Sequence, residues 1–272
     1  MKRNKIDRSG AHGGSSDEIS QMFDFVSPTE FVDLPSKGKY YPEGHPLRNQ
    51  DVIEIKYMTA KHEDILTNRS LLKKGVALSR LINDLIVNKS INGNDLLVGD
   101  RNAIMIHARA TAYGRKYETS VSCPACNANS KHAFDLAEPN VYHGEMEEGV
   151  QPLENGNFLI TTPHSKIDVE VKLITGKEEA VLIKNYADKK KDQKMISDQL
   201  RLFIVAVKDH TDKNVINYFI ENAPAQETRY IRNVFTKLSP DLRIVGDFEC
   251  PSCGHEQELE VAFGADFFWP ER

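Results

Sequence analysis

The spacing of apolar and polar residues changes period several times along the chain, and each change marks a predicted element. Val52, Ile53, Ile55 and Tyr57, largely alternating with polar residues, predict a strand, and Thr59 with Glu63 and Asp64 has the make-up of a helix start. Leu78, Leu81, Ile82, Leu85 and Ile86 recur at helical spacing and predict a helix near residues 74–88. A third begins near Asp100, carries Ile104, Ile106 and His107, and stops at Gly114, where glycine tolerates the left-handed cap conformation. Ile167, Val169, Val171 and Leu173 alternate with Asp168, Glu170 and Lys172, the pattern of a strand buried on one face. Thr175 followed by Glu178 has the spacing of a capping box. Ile196, Leu200, Phe203, Ile204 and Val207 predict one helical stripe, and Ile231, Val234, Phe235 and Leu238 another, bounded by Pro224 and Pro240.

These patterns divide the chain. Residues 1–29 read as a flexible tail rich in Gly, Ser and charge, with apolar residues in the first 24 too sparse to define a face. In FVDLPSKGKYYPEGHPL, the prolines at 35, 42 and 46 forbid long regular structure, while Phe31, Val32, Leu34, Tyr40 and Tyr41 supply apolar anchors, so an extended surface segment is expected. The predicted units are 30–140, holding this segment, the early helices and a first cysteine hairpin; 141–241, a mainly helical insert; and 242–272, a second hairpin with an aromatic end.

Composition narrows the class. Of 272 residues, 40% are hydrophobic and 28% charged, as in a globular protein that can bury a core without disulfides. Thirty-five basic against 40 acidic side chains give a formal charge of -5, which disfavours nucleic acid as a partner. No apolar run is long enough to span a membrane and the N-terminus does not read as a secretory signal, so a cytoplasmic protein without a membrane span is expected.

The four cysteines carry the chemistry. Cys123-Pro124-Ala125-Cys126 and Cys250-Pro251-Ser252-Cys253-Gly254 both have C-x-x-C spacing, which lets two thiolates of a tight turn reach one ion while backbone amides stabilise their charge. One such pair also suits a redox dithiol; two pairs holding every cysteine point to a structural four-cysteine site for one Zn2+. The flanks match as well. Val121 and Phe248 stand two residues before the first cysteine of each pair, with Phe134 and Leu136 after one and Val261 and Phe263 after the other. Both copies therefore read as strand, cysteine turn, strand, making a zinc ribbon interrupted by residues 127–249. The competing reading is four buried thiols that hold no metal. A catalytic zinc is disfavoured because four thiolates leave no coordination position for water, and His255 is expected to be a surface residue or a hydrogen-bond donor near the site.

Enzyme signatures are missing from the sequence: there is no G-x-S-x-G, Walker or H-E-x-x-H motif. Ser36-Lys37-Gly38-Lys39 lacks the upstream glycine and following helix of a phosphate loop and reads as a solvated basic turn, and Lys189, Lys190 and Lys191 are flanked by aspartates with no aromatic interleaving and read as an exposed helix end or loop. Phe267, Phe268 and Trp269 are three successive aromatics that cannot all face one strand core; they are expected either to seal the protein's own core or to meet a partner.

Taken in order, FVDLPSKGKYYP, KYMTAKHEDIL, DLLVGDRNAIMIHARATAYGRKYETSVSCPAC, FECPSCGHEQELEV and the terminal FFWP resemble the baseplate hub assembly proteins of T-even type (T4-like) bacteriophages, over roughly residues 30–272. The resemblance implies a non-enzymatic assembly or structural factor of the contractile-tail baseplate hub. It implies hub and tail proteins as partners, no small-molecule substrate, and residence in the host cytoplasm during assembly or in the virion. The full expectation is an α+β protein with a four-cysteine zinc ribbon at Cys123, Cys126, Cys250 and Cys253, an N-terminal helical portion and a mainly helical insert. Phe31, Leu34, Tyr40, Tyr41, Phe267, Phe268 and Trp269 are its expected partner-binding residues. The alternatives are a zinc-ribbon protein of transcription or nucleic-acid binding, which calls for a concentrated basic face, and a zinc- or thiol-dependent enzyme, which calls for an open ligand position.

Overall fold

The computed structural model describes residues 28–137, 139–188, 195–261 and 265–268. Residues 1–27 of the expected tail, the Lys189–Lys191 run, Phe263 and Trp269 lie outside them, and Thr29, the last residue of that tail, is the first of a strand. The architecture is α+β: small antiparallel sheets and, among the described residues, eight helices. One cluster of buried apolar side chains runs from Val32 to Phe268 through the described residues.

The first sheet pairs β1 (Thr29–Asp33) with β2 (Val52–Lys56). Period-2 alternation sends Val32, Ile53 and Ile55 into the core and leaves Phe31 and Val52 outside. The loop between the strands is compacted by turns, and at Gly38, with φ at 65°, a Cβ would stand 2.3 Å from the Leu47 carbonyl oxygen, which only glycine avoids. This loop is not the exposed segment that its prolines suggest. Leu34 and Tyr41 are both buried, because Asp100 on a later helix supplies their neighbourhood with a polar anchor. The Asp100 carboxylate accepts from the Ser36 amide at 3.0 Å, the Ser36 hydroxyl at 2.6 Å and the Tyr41 hydroxyl at 2.6 Å. Tyr41 Oη in turn accepts from the Leu97 amide at 3.1 Å. Tyr40 is half-buried against Phe158.

The helices that follow are α1 (Ala60–Thr67), α2 (Arg69–Lys73), α3 (Ala77–Leu85) and α4 (Val98–Tyr113). The apolar stripe read over 74–88 is carried by α3, which buries Leu81, Ile82 and Leu85. Helix α4 ends at Gly114, whose φ of 88° is the positive value that glycine supplies. At the head of α1, the Thr59 amide donates to His62 Nδ1 at 2.9 Å, so the proton of this imidazole sits on Nε2, 3.2 Å from Asp84 Oδ2. Burial lowers the His62 pKa below its ordinary 6.5, opposed by Asp84 and assisted by Lys61, Lys56 and Lys89. The neutral ring is thus the native form. Stability from this group is present above pH 6.5 and is lost as the pH falls through the depressed native value. Thermal unfolding between pH 7 and 5 should show this loss. His62→Gln, which can cap without titrating, should flatten the profile.

After β3 (Lys116–Ser122), β4 (Asn129–Asp135) and β5 (Asn140–Tyr142), the insert has more in it than helices and the single expected strand. It holds a four-stranded antiparallel sheet in the order β6 (Val150–Pro152), β7 (Phe158–Thr161), β8 (Asp168–Val171), β9 (Ile204–Val207). Helix α5 (Gly176–Asp188) opens with the expected reciprocal contact, the Thr175 amide donating to Glu178 Oε2 at 3.0 Å. The stripe expected to run from Ile196 to Val207 in one helix breaks at Phe203. Helix α6 (Met195–Phe203) stops there and Ile204 starts β9, because the Ile-Val-Ala-Val run pairs with the edge of β8.

Helices α7 (Lys213–Asn222) and α8 (Ala225–Leu238) lead to β10 (Asp241–Arg243), and α8 keeps to its proline bounds. Strand β10 pairs antiparallel with β5, setting Leu242 opposite Val141 and bringing the two ends of the insert together. The chain then forms β11 (Val245–Glu249), β12 (Glu256–Glu260) and a short 3-10 turn, Ala265–Phe268. Phe267 and Phe268 are buried, and Phe267 packs 5.0 Å from the Tyr117 ring centroid, so these two aromatics belong to the core and not to an exposed surface.

Candidate metal centre

The two cysteine hairpins are built alike. In β3–β4, Ser122 pairs with Asn129; in β11–β12, Glu249 pairs with Glu256, so each cysteine turn leaves the last strand pair at the same point. The Cys123 amide donates to the Ala128 carbonyl at 2.9 Å and the Asn127 amide to the Cys123 carbonyl at 2.8 Å. In the second turn, Cys250 donates to the His255 carbonyl and Gly254 to the Cys250 carbonyl, both at 2.9 Å. Asn127 and Gly254 occupy equivalent positions and both have positive φ, 58° and 69°, a conformation for which asparagine and glycine carry the smallest penalty. Pro124 and Pro251 fix the chain just after the first cysteine of each turn.

The β5–β10 pairing lays these hairpins side by side. His132 on β4 meets Phe134 edge-on at 4.7 Å and Phe248 on β11 at 5.6 Å. Phe248 packs with Cys123 and Cys250, and Val121 and Leu259 close this small cluster. His132 escaped the sequence reading. Its signal was its place two residues before Phe134, on the same strand face. His255 contributes its backbone carbonyl to the second turn, while its ring is outside the group of potential ligands.

All four Sγ atoms lie within 4.8 Å of one another, and across the hairpins Cys123 and Cys253 are 3.8 Å apart and Cys126 and Cys250 3.7 Å. Four sulfurs held ~2.3 Å from a common ion at tetrahedral angles stand roughly 3.8 Å from each other. The donor set therefore has the size of a tetrahedral thiolate site, and it is too open for a disulfide. Two cysteines of the set, Cys123 and Cys250, are buried, and the two at the turn tips are exposed.

Electrostatics agree with a cation at this place. The Ser252 amide, followed by the Cys253 amide and two neighbouring thiols, brings the Cys250 thiol down to about 6 against the cost of its burial. Cys253 behaves oppositely: the His255 amide favours its thiolate, yet the Cys126 sulfur, desolvation and the other two sulfurs push it up to about 12. Without a metal the cluster therefore resists carrying several negative charges at once, and a divalent ion is the group that lets all the thiols lose their protons.

A family model described as T4 bacteriophage base plate protein matches residues 27–269, most of the chain. The chain belongs to the T4 bacteriophage base plate protein family. No curated protein and no solved structure matches it. As a member of that family it is a phage baseplate structural protein, virion-associated, and made to contact other structural proteins of the particle. No described helix is long and apolar enough to cross a membrane. Of the residues expected to bind partners, Phe31 alone is largely exposed among those described, Tyr40 is half-buried, and Leu34, Tyr41, Phe267 and Phe268 are core.

Proposed function

We propose that this baseplate protein acts in building the central hub of the phage tail by protein–protein interaction, with no catalytic role. Its two hairpins form a zinc ribbon in which Cys123, Cys126, Cys250 and Cys253 hold one structural Zn2+. The observation that carries the metal reading is the gathering within 4.8 Å of four sulfurs drawn from hairpins that the whole insert separates. Held by one ion, the hairpins fix the geometry of the surfaces that hub partners meet. The protein works in the host cytoplasm during assembly and enters the baseplate with its partners.

Co-expression with the other tail proteins of the same genome tests the hub role. A stable complex with a hub component is expected, and Trp269→Ala is expected to weaken it while leaving the metal content and helical signal intact. Removal of residues 267–272 is a different experiment. It takes away the buried Phe267 and Phe268 and should lower stability and association together. Binding to none of the tail proteins, or unweakened binding by the Trp269→Ala protein, would count against the corresponding part of the proposal.

A further inference from the structure

The β1–β2 sheet has one edge in use and one open. Beyond β2, the Val87 amide donates to the Glu54 carbonyl at 3.1 Å and Ile55 bridges Ile86. Between the two strands, the Leu34 amide donates to the Asp51 carbonyl at 2.8 Å and the Tyr57 amide to the Pro28 carbonyl at 3.0 Å, in a register that carries on through Glu30 with Ile55 and Val32 with Ile53. Antiparallel pairs alternate, so the amides and carbonyls of Thr29, Phe31 and Asp33 point away from β2. No backbone group among the described residues meets them. An edge of this kind is a template for another strand.

A groove lies along that edge. Strands β1 and β10 both pack on α4, and a cavity of about 370 Å³ lies between them. Ile106 and Ala110 of α4 line its floor, Glu30 and Asp33 one wall, and Val141 of β5 with its partner Leu242 of β10 the other. The His143 ring donates through Nδ1 to the Pro35 carbonyl at 2.9 Å and so ties the two walls together two residues past Asp33. Glu30 accepts from the Thr111 hydroxyl at 3.1 Å and lies 3.9 Å from His107 Nδ1, while Asp33 is exposed and makes no ion pair among the described residues. Arg115, just past the end of α4, is the one other charged lining residue. The β1 wall is therefore acidic beside an apolar floor.

We propose that the open edge of β1 and this groove take an extended segment of a second baseplate protein, which adds as a third strand with an apolar residue over Ile106 and Ala110 and a lysine or arginine beside Asp33. This rests on the reading of the protein as one that acts by binding other tail proteins. Unpaired ladder groups select an extended backbone over a helix, because a strand alone offers amides and carbonyls at the matching spacing. Its period of two sends alternate side chains into the groove. The carboxylates of the wall select a basic residue and disfavour an acidic one.

Titration calorimetry with the tail protein that co-purifies with the full-length chain tests it. Phe31→Pro removes the outward amide of residue 31 and keeps the Glu30 and Val32 pairs with β2, a change that edge strands tolerate. It should weaken binding about tenfold, through the lost hydrogen bond and the bulk of the ring at the edge. Phe31→Ala keeps the amide and should weaken binding by less. Ala110→Trp fills the groove from α4 without touching the β1 backbone and should also weaken binding about tenfold, and Asp33→Lys about fivefold. Zinc content should be unchanged in all four proteins. If Phe31→Pro lowers the unfolding midpoint, Ala110→Trp decides. Undiminished binding by the Phe31→Pro and Ala110→Trp proteins, or a loss from Phe31→Ala as large as that from Phe31→Pro, overturns the strand proposal and leaves the partner reading standing. If no tail protein binds, both fall.

Discussion

Cys250→Ser lowers the unfolding midpoint of the whole chain, by an expected amount of roughly 10 °C. Structural zinc sites contribute on the order of 10–16 kcal/mol to folding, so one ligand of four corresponds to roughly 3–4 kcal/mol. For a chain of this size each kcal/mol moves the midpoint by about 2–4 °C. The effect is global because Cys250 lies on the hairpin after the insert and Cys126, its neighbour at 3.7 Å, on the hairpin before it. Losing one thiolate loosens the clasp between distant parts of a single core. Differential scanning calorimetry with and without a chelator separates metal from packing. Chelation should lower the parent protein's midpoint by more than it lowers that of the Cys250→Ser protein, whose three remaining thiolates hold the ion more weakly. Equal midpoints for the two proteins would mean that the four sulfurs come together without holding an ion.

Asp100→Ala is the second large effect, expected to cost about 3–5 kcal/mol in urea unfolding. The substitution leaves the Ser36 amide, the Ser36 hydroxyl and the Tyr41 hydroxyl without their acceptor inside the protein, and each buried donor left unmade costs about 1–3 kcal/mol. Burial is also the leading influence on the carboxyl itself and raises its pKa, against the hydrogen bonds from Ser36 and Tyr41 that lower it. Pairing Asp100→Ala with Ser36→Ala should recover part of the loss, because removing both partners removes an orphaned donor, and a coupling of about 0.5–3 kcal/mol is the expected range for residues in one network. Strict additivity of the two substitutions would show that the buried network does not anchor the loop.

Asp100 also shows why some of the fold was illegible in the sequence. Nothing near Leu34 or Tyr41 announces an acceptor on α4, so prolines and aromatics in a row read as an interface, and only the long-range contact makes them core. For Phe267 and Phe268 the sequence leaves core and partner surface both open, for a local reason. Strand geometry would send them to opposite faces, but the chain makes a 3-10 turn there and both rings enter the core beside Tyr117. At Phe203 the difficulty was one of period, since Ile204 and Val207 continue a helical stripe equally well, and pairing with β8 decided for strand. Where one signal dominated, the reading and the structure agree. The alternation around Val169 became β8, glycine capped α4, and α8 kept between Pro224 and Pro240. The cysteine set was the most legible feature, because its chemistry lies in residue type and spacing and the only missing fact was that β5 and β10 bring the hairpins together.

The most direct test of the account is native mass spectrometry of the full-length protein, expressed without added metal and sprayed from neutral volatile buffer, followed by denaturing spectra of the same sample. The predicted result is a native mass exceeding the denatured mass by one zinc ion per chain, with that increment missing from the Cys250→Ser protein. A native mass equal to the bare polypeptide, or a zinc increment that survives Cys250→Ser unchanged, would contradict the four-cysteine clasp.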